Sequence, residues 1–224
     1  MRSAIFCTCV FLSIGFISTT CALIDDFNDG KDDGWDQIQG DWSVIAGEYA
    51  QEDIEWTTTA TYETYTRSFF GDESWMDYTL EAKVRIEEGG DLAPIIGIFF
   101  RVTEKTEIGD YYYFRLDARD AEGPCLIKSP NTIILENMAK PCELEKDYIL
   151  KVQVEGDNIE CYIDGELEIE VQDASFPQGA IGVGTFNANG RFDDVKVNGE
   201  NIAPDAVSSE GKLATTWAGI KNKY

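Results

Sequence analysis

The chain has 224 residues, 43% of them apolar and 27% charged, which suits one all-β domain with a sizeable core. Its 42 acids against 18 bases give a formal charge of −24, which repels nucleic-acid phosphates and anionic lipid and suits neutral ligands or cations such as Ca²⁺. Histidine is absent, which removes Ser-His-Asp and Cys-His catalysis and every His-bound metal site.

Residues 1–22 read as a secretory signal. Arg2 supplies the positive start, residues 4–17 are mostly apolar but shorter than the roughly 20 residues of a bilayer span, and Thr20-Cys21-Ala22 offers a small-residue cleavage site. The mature chain is therefore expected to be secreted or periplasmic, without a transmembrane segment. A first strand at 23–27 runs into the turn-rich Asn28-Asp29-Gly30-Lys31-Asp32-Asp33-Gly34. Strands follow at 40–45 and 48–51 around a Gly47 turn. Residues 54–70 are rich in Thr, Tyr and Trp and do not divide clearly into strand and loop.

Residues 77–117 carry three alternating segments, 78–87, 95–103 and 111–118. In the first, Leu80, Ala82, Val84 and Ile86 share a face, with Thr79, Glu81, Lys83 and Arg85 on the other, the pattern of a strand with one side on a core and one on water. If the three meander, Arg101 lies across from Tyr113, Phe99 across from Arg115, and Glu81 near Arg101. One exposed sheet face then carries Glu81, Lys83, Phe99, Arg101, Tyr113, Arg115 and Asp117.

Further strands are expected at 126–128, 132–136, 148–155 and 159–163, the last followed by Asp164-Gly165, the strongest hairpin signal in the chain because both central positions of a type I′ turn need positive φ. Leu167, Ile169 and Val171 face inward on the return strand, and 180–186 and 191–198 close the domain. Beyond the leader three cysteines remain. Cys161 alternates with Ile159 and Ile163 as a buried small hydrophobe, while Cys125 and Cys142 bracket a hairpin-like segment where a disulfide is expected in an oxidising compartment. The expected layout is leader 1–22, an antiparallel two-sheet β-sandwich at 23–201, and a linker with a short basic tail at 202–224. That tail carries Leu213, Trp217 and Ile220 and could serve attachment to a larger assembly, although a frayed terminus is the simpler reading.

Read together and in order, several motifs resemble the concanavalin A-like (laminin G-like) jelly-roll superfamily. They are Asp25-Asp26-Phe27 with Trp35, Gly40-Asp41-Trp42-Ser43-Val44 with Gly47, Trp75-Met76-Asp77-Tyr78, Gly97-Ile98-Phe99-Phe100-Arg101, Asp110-Tyr111-Tyr112-Tyr113-Phe114-Arg115, Cys161-Tyr162-Ile163-Asp164-Gly165, Gly179-Ala180-Ile181-Gly182 and Phe192-Asp193-Asp194-Val195. The nearest resemblance is to bacterial secreted carbohydrate-binding modules, including levan-binding ones. It implies a lectin-like module for a polysaccharide or glycan, with Trp42 and Trp75 in structural roles. It also implies a structural Ca²⁺ held by Asp26, the Gly47 carbonyl and Asp193, whose alternation with Val195 and Val197 points its carboxylate inward.

Sugars are recognised by aromatic faces and by planar donors and acceptors for vicinal hydroxyls. Tyr113 is therefore expected to stack, Arg101 and Arg115 to donate, and Glu81 and Asp117 to accept. A row of carboxylates, Glu166, Glu168 and Glu170, loosely resembles the catalytic strand of retaining glucanases in the same superfamily. Its middle Asp is a Glu and no aromatic cleft adjoins it, so it reads as solvated surface. The expectation is binding without cleavage; a glycoside hydrolase of the same fold and an adhesion protein are the alternatives.

Overall fold

Alternation dictates which face of each strand meets the core, and it is cleanest in the strand Tyr78–Gly89, where Tyr78, Leu80, Ala82, Val84 and Ile86 are all buried. The structure is a computed structural model describing residues 22–54, 65–130, 132–137, 140–199 and 202. Residues 1–21 of the expected leader, Trp56, and residues 203–224 of the expected tail lie outside the described residues.

Two antiparallel sheets face each other. The first is ordered β13 (Glu166–Gln172), β12 (Asn158–Ile163), β11 (Tyr148–Glu155), β6 (Tyr78–Gly89), β15 (Ala188–Gly199), β4 (Glu48–Gln51) and β3 (Trp42–Ile45). Its eighth strand, β1 (Ala22–Asp25), pairs with the later half of β15, beyond the part that β4 occupies. The second sheet is β10 (Thr132–Glu136), β9 (Cys125–Lys128), β8 (Tyr112–Asp117), β7 (Ile95–Val102), β14 (Ala180–Phe186), β5 (Arg67–Phe70) and β2 (Asp36–Gln39). The described residues contain no helix, so none is long and apolar enough to cross a membrane. This is the jelly-roll sandwich that the strand spacing predicts.

Between the sheets lies a core rich in aromatics. Tyr49 packs with Phe27 on one side, centroids 5.1 Å apart, and with Trp42 on the other at 4.8 Å, and shares a 2.8 Å hydrogen bond with Ser68. Trp35, Trp42 and Trp75 are all buried there, as expected for the latter two. Asp164 and Gly165, at φ +51° and +84°, make the expected tight turn between β12 and β13. Asp173, just past β13, ties the layers together: it accepts from Tyr112 Oη at 2.5 Å and Lys128 Nζ at 2.7 Å, both in the other sheet.

Two expectations fail here. β6 and β7 do not form a hairpin; the chain crosses between sheets after Gly89, so Glu81 and Arg101 belong to different layers. β7 and β8 do pair, but with Phe99 opposite Tyr113 and Gly97 opposite Arg115, two residues from the expected register. Nor is their outer face open to water. Phe69, Phe99, Tyr111, Tyr113 and Ile127 form a second apolar cluster there, with Phe99 and Tyr113 stacked at 4.1 Å and Tyr65 lying 4.7 Å from Tyr113. Bulky apolar side chains on both faces of β7 demand two cores, and the fold supplies both.

Candidate functional site

The sugar-contact residues expected from sequence are not gathered on one exposed face. Glu81 points outward from β6 and lies 3.4 Å from Lys196 of the neighbouring strand, an ion pair on the opposite sheet. Arg101 is fully buried. At φ +48° it is the extra residue of a β-bulge, at the point where the β7–β14 register shifts. The bulge reverses parity, so Arg101 leaves the side of Phe99 and Val102. Its backbone N–H donates to Tyr78 Oη at 2.7 Å, and its guanidinium donates to the carbonyls of Phe176 (3.2 Å) and Met76 (3.4 Å). It is a structural clamp for the end of the sandwich. Tyr113 is also fully buried and donates its hydroxyl to Gly184 O at 2.9 Å. That contact depends on Gly97, where a Cβ would sit 2.8 Å from the Tyr113 ring.

Arg115 and Asp117 do come together, at the edge of a cavity of about 610 Å³ on the outer side of the seven-stranded sheet. Alternation along β8 places both on that face, one strand turn beyond Tyr113. Asp117 is almost wholly buried and grips Arg119 in a fork, Nε–H donating to Oδ1 at 3.0 Å and Nη2–H to Oδ2 at 2.6 Å, while Arg115 Nη1 lies 3.4 Å from the same carboxylate. The Arg119 backbone N–H also donates to Oδ1 at 3.0 Å, the local Asp turn that bends the chain after β8. Arg115 lines the cavity with its Nε–H buried and lacking a hydrogen-bond partner. Burial works against its charge, but its surroundings, the Asp117 carboxylate among them, raise its pKa, so it stays a cation.

Across the cavity stand Glu122, 3.6 Å from Arg119, and Glu136, from edge strand β10. Burial, and then the Glu122 carboxyl within hydrogen-bonding reach, hold the Glu136 proton above the usual carboxylate range. The walls are apolar: Tyr65, Ala93, Ile95 and Phe186 inside, with Leu92 and Ile133 at the rim more than half exposed. Burial pushes the Tyr65 phenol up to about 12, against the pull of Arg115, so it remains a neutral hydroxyl. The cavity thus offers fixed planar donors, carboxyl acceptors and aromatic wall in one hollow, the usual makeup of a polar-ligand pocket.

Arg119, Glu122, Glu136, Tyr65 and Phe186 were missed by the sequence reading. They come from a turn, an edge strand and two distant segments, so no single periodic stretch collects them. The available signal was Asp117-Ala118-Arg119, an Asp poised to fix a turn with an arginine two residues on.

Two other expectations are corrected, the disulfide and the solvated carboxylate row. Cys125 and Cys142 are free, as is Cys161. Cys125 pairs in register with Arg115 and so shares the outer face, whereas Cys142 packs in the inner core, and the sheet lies between them. Of the residues expected to hold calcium, both carboxylates carry protein partners in this structure. Asp193 turns outward ahead of a bulge at Asp194 (φ +50°) and accepts from Lys83 Nζ at 2.8 Å, and Asp26 accepts from the Asn28 backbone N–H at 3.3 Å. Gly47, at φ +85° in the β3–β4 turn, lies close to the Asn28 side chain. No three His, Cys, Asp or Glu side chains gather as a metal needs among the described residues. In the carboxylate row a register shift between β12 and β13 breaks the alternation. Leu167 becomes half-exposed, while Glu168 is tucked away, paired with Lys140 and accepting from Asn137 Nδ2 at 2.9 Å.

No family model matches the chain. Over 165 residues it is 25% identical to the levanase of Bacillus subtilis (strain 168), an alignment covering 72% of this chain and 22% of the levanase, so the chain spans about a fifth of that relative's length. Among solved structures, the carbohydrate-binding module CBM66 from Bacillus subtilis superposes with a TM-score of 0.62 at 22% identity, over 74% of this chain and 96% of that one. The Bacillus licheniformis β-glucanase superposes at 0.58 with 14% identity, over 81% and 99% respectively. The fold is therefore the concanavalin A-like jelly roll, a scaffold on which both binding modules and hydrolases are built.

Proposed function

We propose that this domain is a secreted, non-catalytic carbohydrate-binding module that seats a sugar in the Arg115–Arg119–Glu122–Glu136 cavity. The observation that carries the reading is the pair of guanidiniums fixed by one buried Asp117, facing carboxyls across an apolar-walled hollow of about 610 Å³. A guanidinium held in place before binding loses little freedom when it meets vicinal hydroxyls. The likeness to CBM66 over nearly its whole length, and to a segment of a levanase, supports the same reading and makes levan the first polymer to try.

The geometry argues against cleavage at this place. A retaining glycosidase needs its carboxyls roughly 5–5.5 Å apart and an inverting one wider still. Glu122 and Glu136 are close enough to hydrogen-bond to each other. The Glu166–Glu170 row is no better placed, since Glu168 is already held by Lys140 and Asn137.

The test is affinity electrophoresis and calorimetry of the domain against levan and a panel of other neutral polysaccharides, in calcium and in EGTA. Arg119→Ala should weaken binding by at least about tenfold, about 1.4 kcal/mol, with little loss of stability because Arg119 is half-exposed. The comparison of calcium with EGTA reads whether an ion at Asp26, Gly47 and Asp193 contributes to binding. Unchanged binding in Arg119→Ala, or release of reducing sugar by the wild type, would overturn the proposal.

A further inference from the structure

The outer side of the seven-stranded sheet carries a second hollow, of about 240 Å³, which the Arg115–Arg119 cavity does not include. It opens at Tyr111, just before β8, whereas the first cavity opens at Arg115. The buried cluster of Phe99 and Tyr113 lies between them. Alternation keeps Tyr111, Tyr113 and Arg115 on one face, and four residues of extended chain span roughly 13 Å at about 3.3 Å each. Two hollows therefore look out from one side of one strand.

The second hollow is held from three sides. The loop between β7 and β8 closes on itself, with Thr103 N–H donating to Asp110 O at 2.9 Å and Asp110 N–H to Thr103 Oγ1 at 3.0 Å. Gly109 has no room for a side chain, since a Cβ there would sit 2.0 Å from Glu104 O. From β5, Arg67 donates Nη1–H to Glu107 O at 3.0 Å and sets its guanidinium carbon 5.0 Å from the centre of the Tyr111 ring. From the turn after β9, Ser129 N–H donates to Tyr111 O at 3.0 Å and Ser129 Oγ–H donates to Asp110 Oδ1 at 2.7 Å. Contacts this distant in sequence fix the shape before any ligand arrives.

Its makeup repeats that of the first cavity. There the buried Arg115 stands with Tyr65 and carboxyl groups; here the buried Arg67 stands with Tyr111 and the exposed Asp110. Ile108, 87% exposed at the lip, and Pro130 add apolar surface of the kind that meets the C–H face of a sugar ring. We propose that this hollow is a second subsite for the same neutral polysaccharide, in which Arg67 forms a positive floor, Asp110 accepts from hydroxyls and Ile108 covers the ring. The proposal rests on the first cavity being a sugar site and adds a second point of hold on the same chain. Once one hollow is filled, filling the other is an intramolecular step, so a polymer that reaches both is held more tightly than a fragment that fills one.

The experiment compares levan with a short levan fragment, or the best-bound neutral polymer of the panel with its own fragment, on the folded domain. Ile108→Ser combined with Asp110→Asn changes two exposed positions, and an unchanged urea midpoint checks that the fold is kept. This variant should lose about tenfold in affinity for the polymer, while the fragment binding that Arg119→Ala removes stays as in the wild type. Ile108→Ser alone serves if the pair lowers the midpoint, and should show a smaller loss of the same kind. Combining all three substitutions should abolish retention. Polymer affinity equal to wild type in the Ile108→Ser, Asp110→Asn variant would overturn the proposal while leaving the first site. Equal losses of polymer and fragment would overturn it too, since the change would then act through the first cavity. A loss in that variant with none in Arg119→Ala would uphold the second hollow and remove the first site. A wild type that binds no polysaccharide would remove both.

Discussion

The outer faces of β6 and β8 begin from similar strings, alternating apolar residues with Glu, Lys, Arg or Tyr, and end in opposite states. On β6 the outward residues are Lys83 and Arg85, which meet Asp193, Glu48 and Asp147 in a half-exposed network on an open sheet face. On β8 the outward residues are Tyr113, Arg115 and Asp117, and all three are buried. The difference lies in their neighbours. Lys83 sits between Asp193 and Ile149 in a layer whose outer side is charged, while Tyr113 sits between Phe99 and Ile127, whose outward side chains are apolar. A polar residue flanked by apolar ones is covered over, and its polar atoms must then find partners inside. The candidate site lies at the margin of such a covered face, where Arg115 is desolvated yet still reaches a hollow.

Substitutions can test that contrast. The largest effect is expected at Phe99, stacked on Tyr113 and in edge contact with Tyr111 at 4.9 Å. Phe99→Ala should cost about 3–5 kcal/mol, read as a fall in urea midpoint at constant slope. A cost below about 1 kcal/mol would mean the outer cluster is no second core. Next comes Asp173, which joins the two layers. Burial opposes its charge, but hydrogen bonds from Lys128, Ser175 and Tyr112 outweigh burial and hold its carboxyl below the usual range. Its pKa is lowered on folding, so its stabilisation is full above the unfolded carboxyl range and is lost as pH falls through the folded value. Asp173→Asn should cost about 1–3 kcal/mol at neutral pH, with a gap from wild type that narrows in acid; a gap constant with pH would refute the assignment. The smallest effect belongs to Lys83→Met, since a partly exposed pair contributes about 0–1 kcal/mol. A larger loss there would show that the β6 network supports the fold as much as the aromatic face does.

What the sequence made legible was local. Leu80, Ala82, Val84 and Ile86 announce their inner face, and Asp164-Gly165 announces its turn, because neighbouring residues alone decide both. What it hid depended on single-residue slips and on partners far along the chain. Alternation says nothing about which sheet the next strand will join, so the crossing after Gly89 and the separation of Glu81 from Arg101 were invisible. One bulge turned Arg101 inward and another turned Asp193 outward, each reversing a side assigned by counting in twos. Of the candidate site, Arg115 and Asp117 could be read from β8, whereas Glu136 enters only because β10 folds back on β9.

The pairing of Ala22 with Asn198 has a consequence for how such a unit can be used. The strand by which the polypeptide enters the sandwich lies beside the one by which it leaves, so both points of attachment sit at one corner. A body hung from one corner can be spliced into a surface loop of a larger protein without stretching its host.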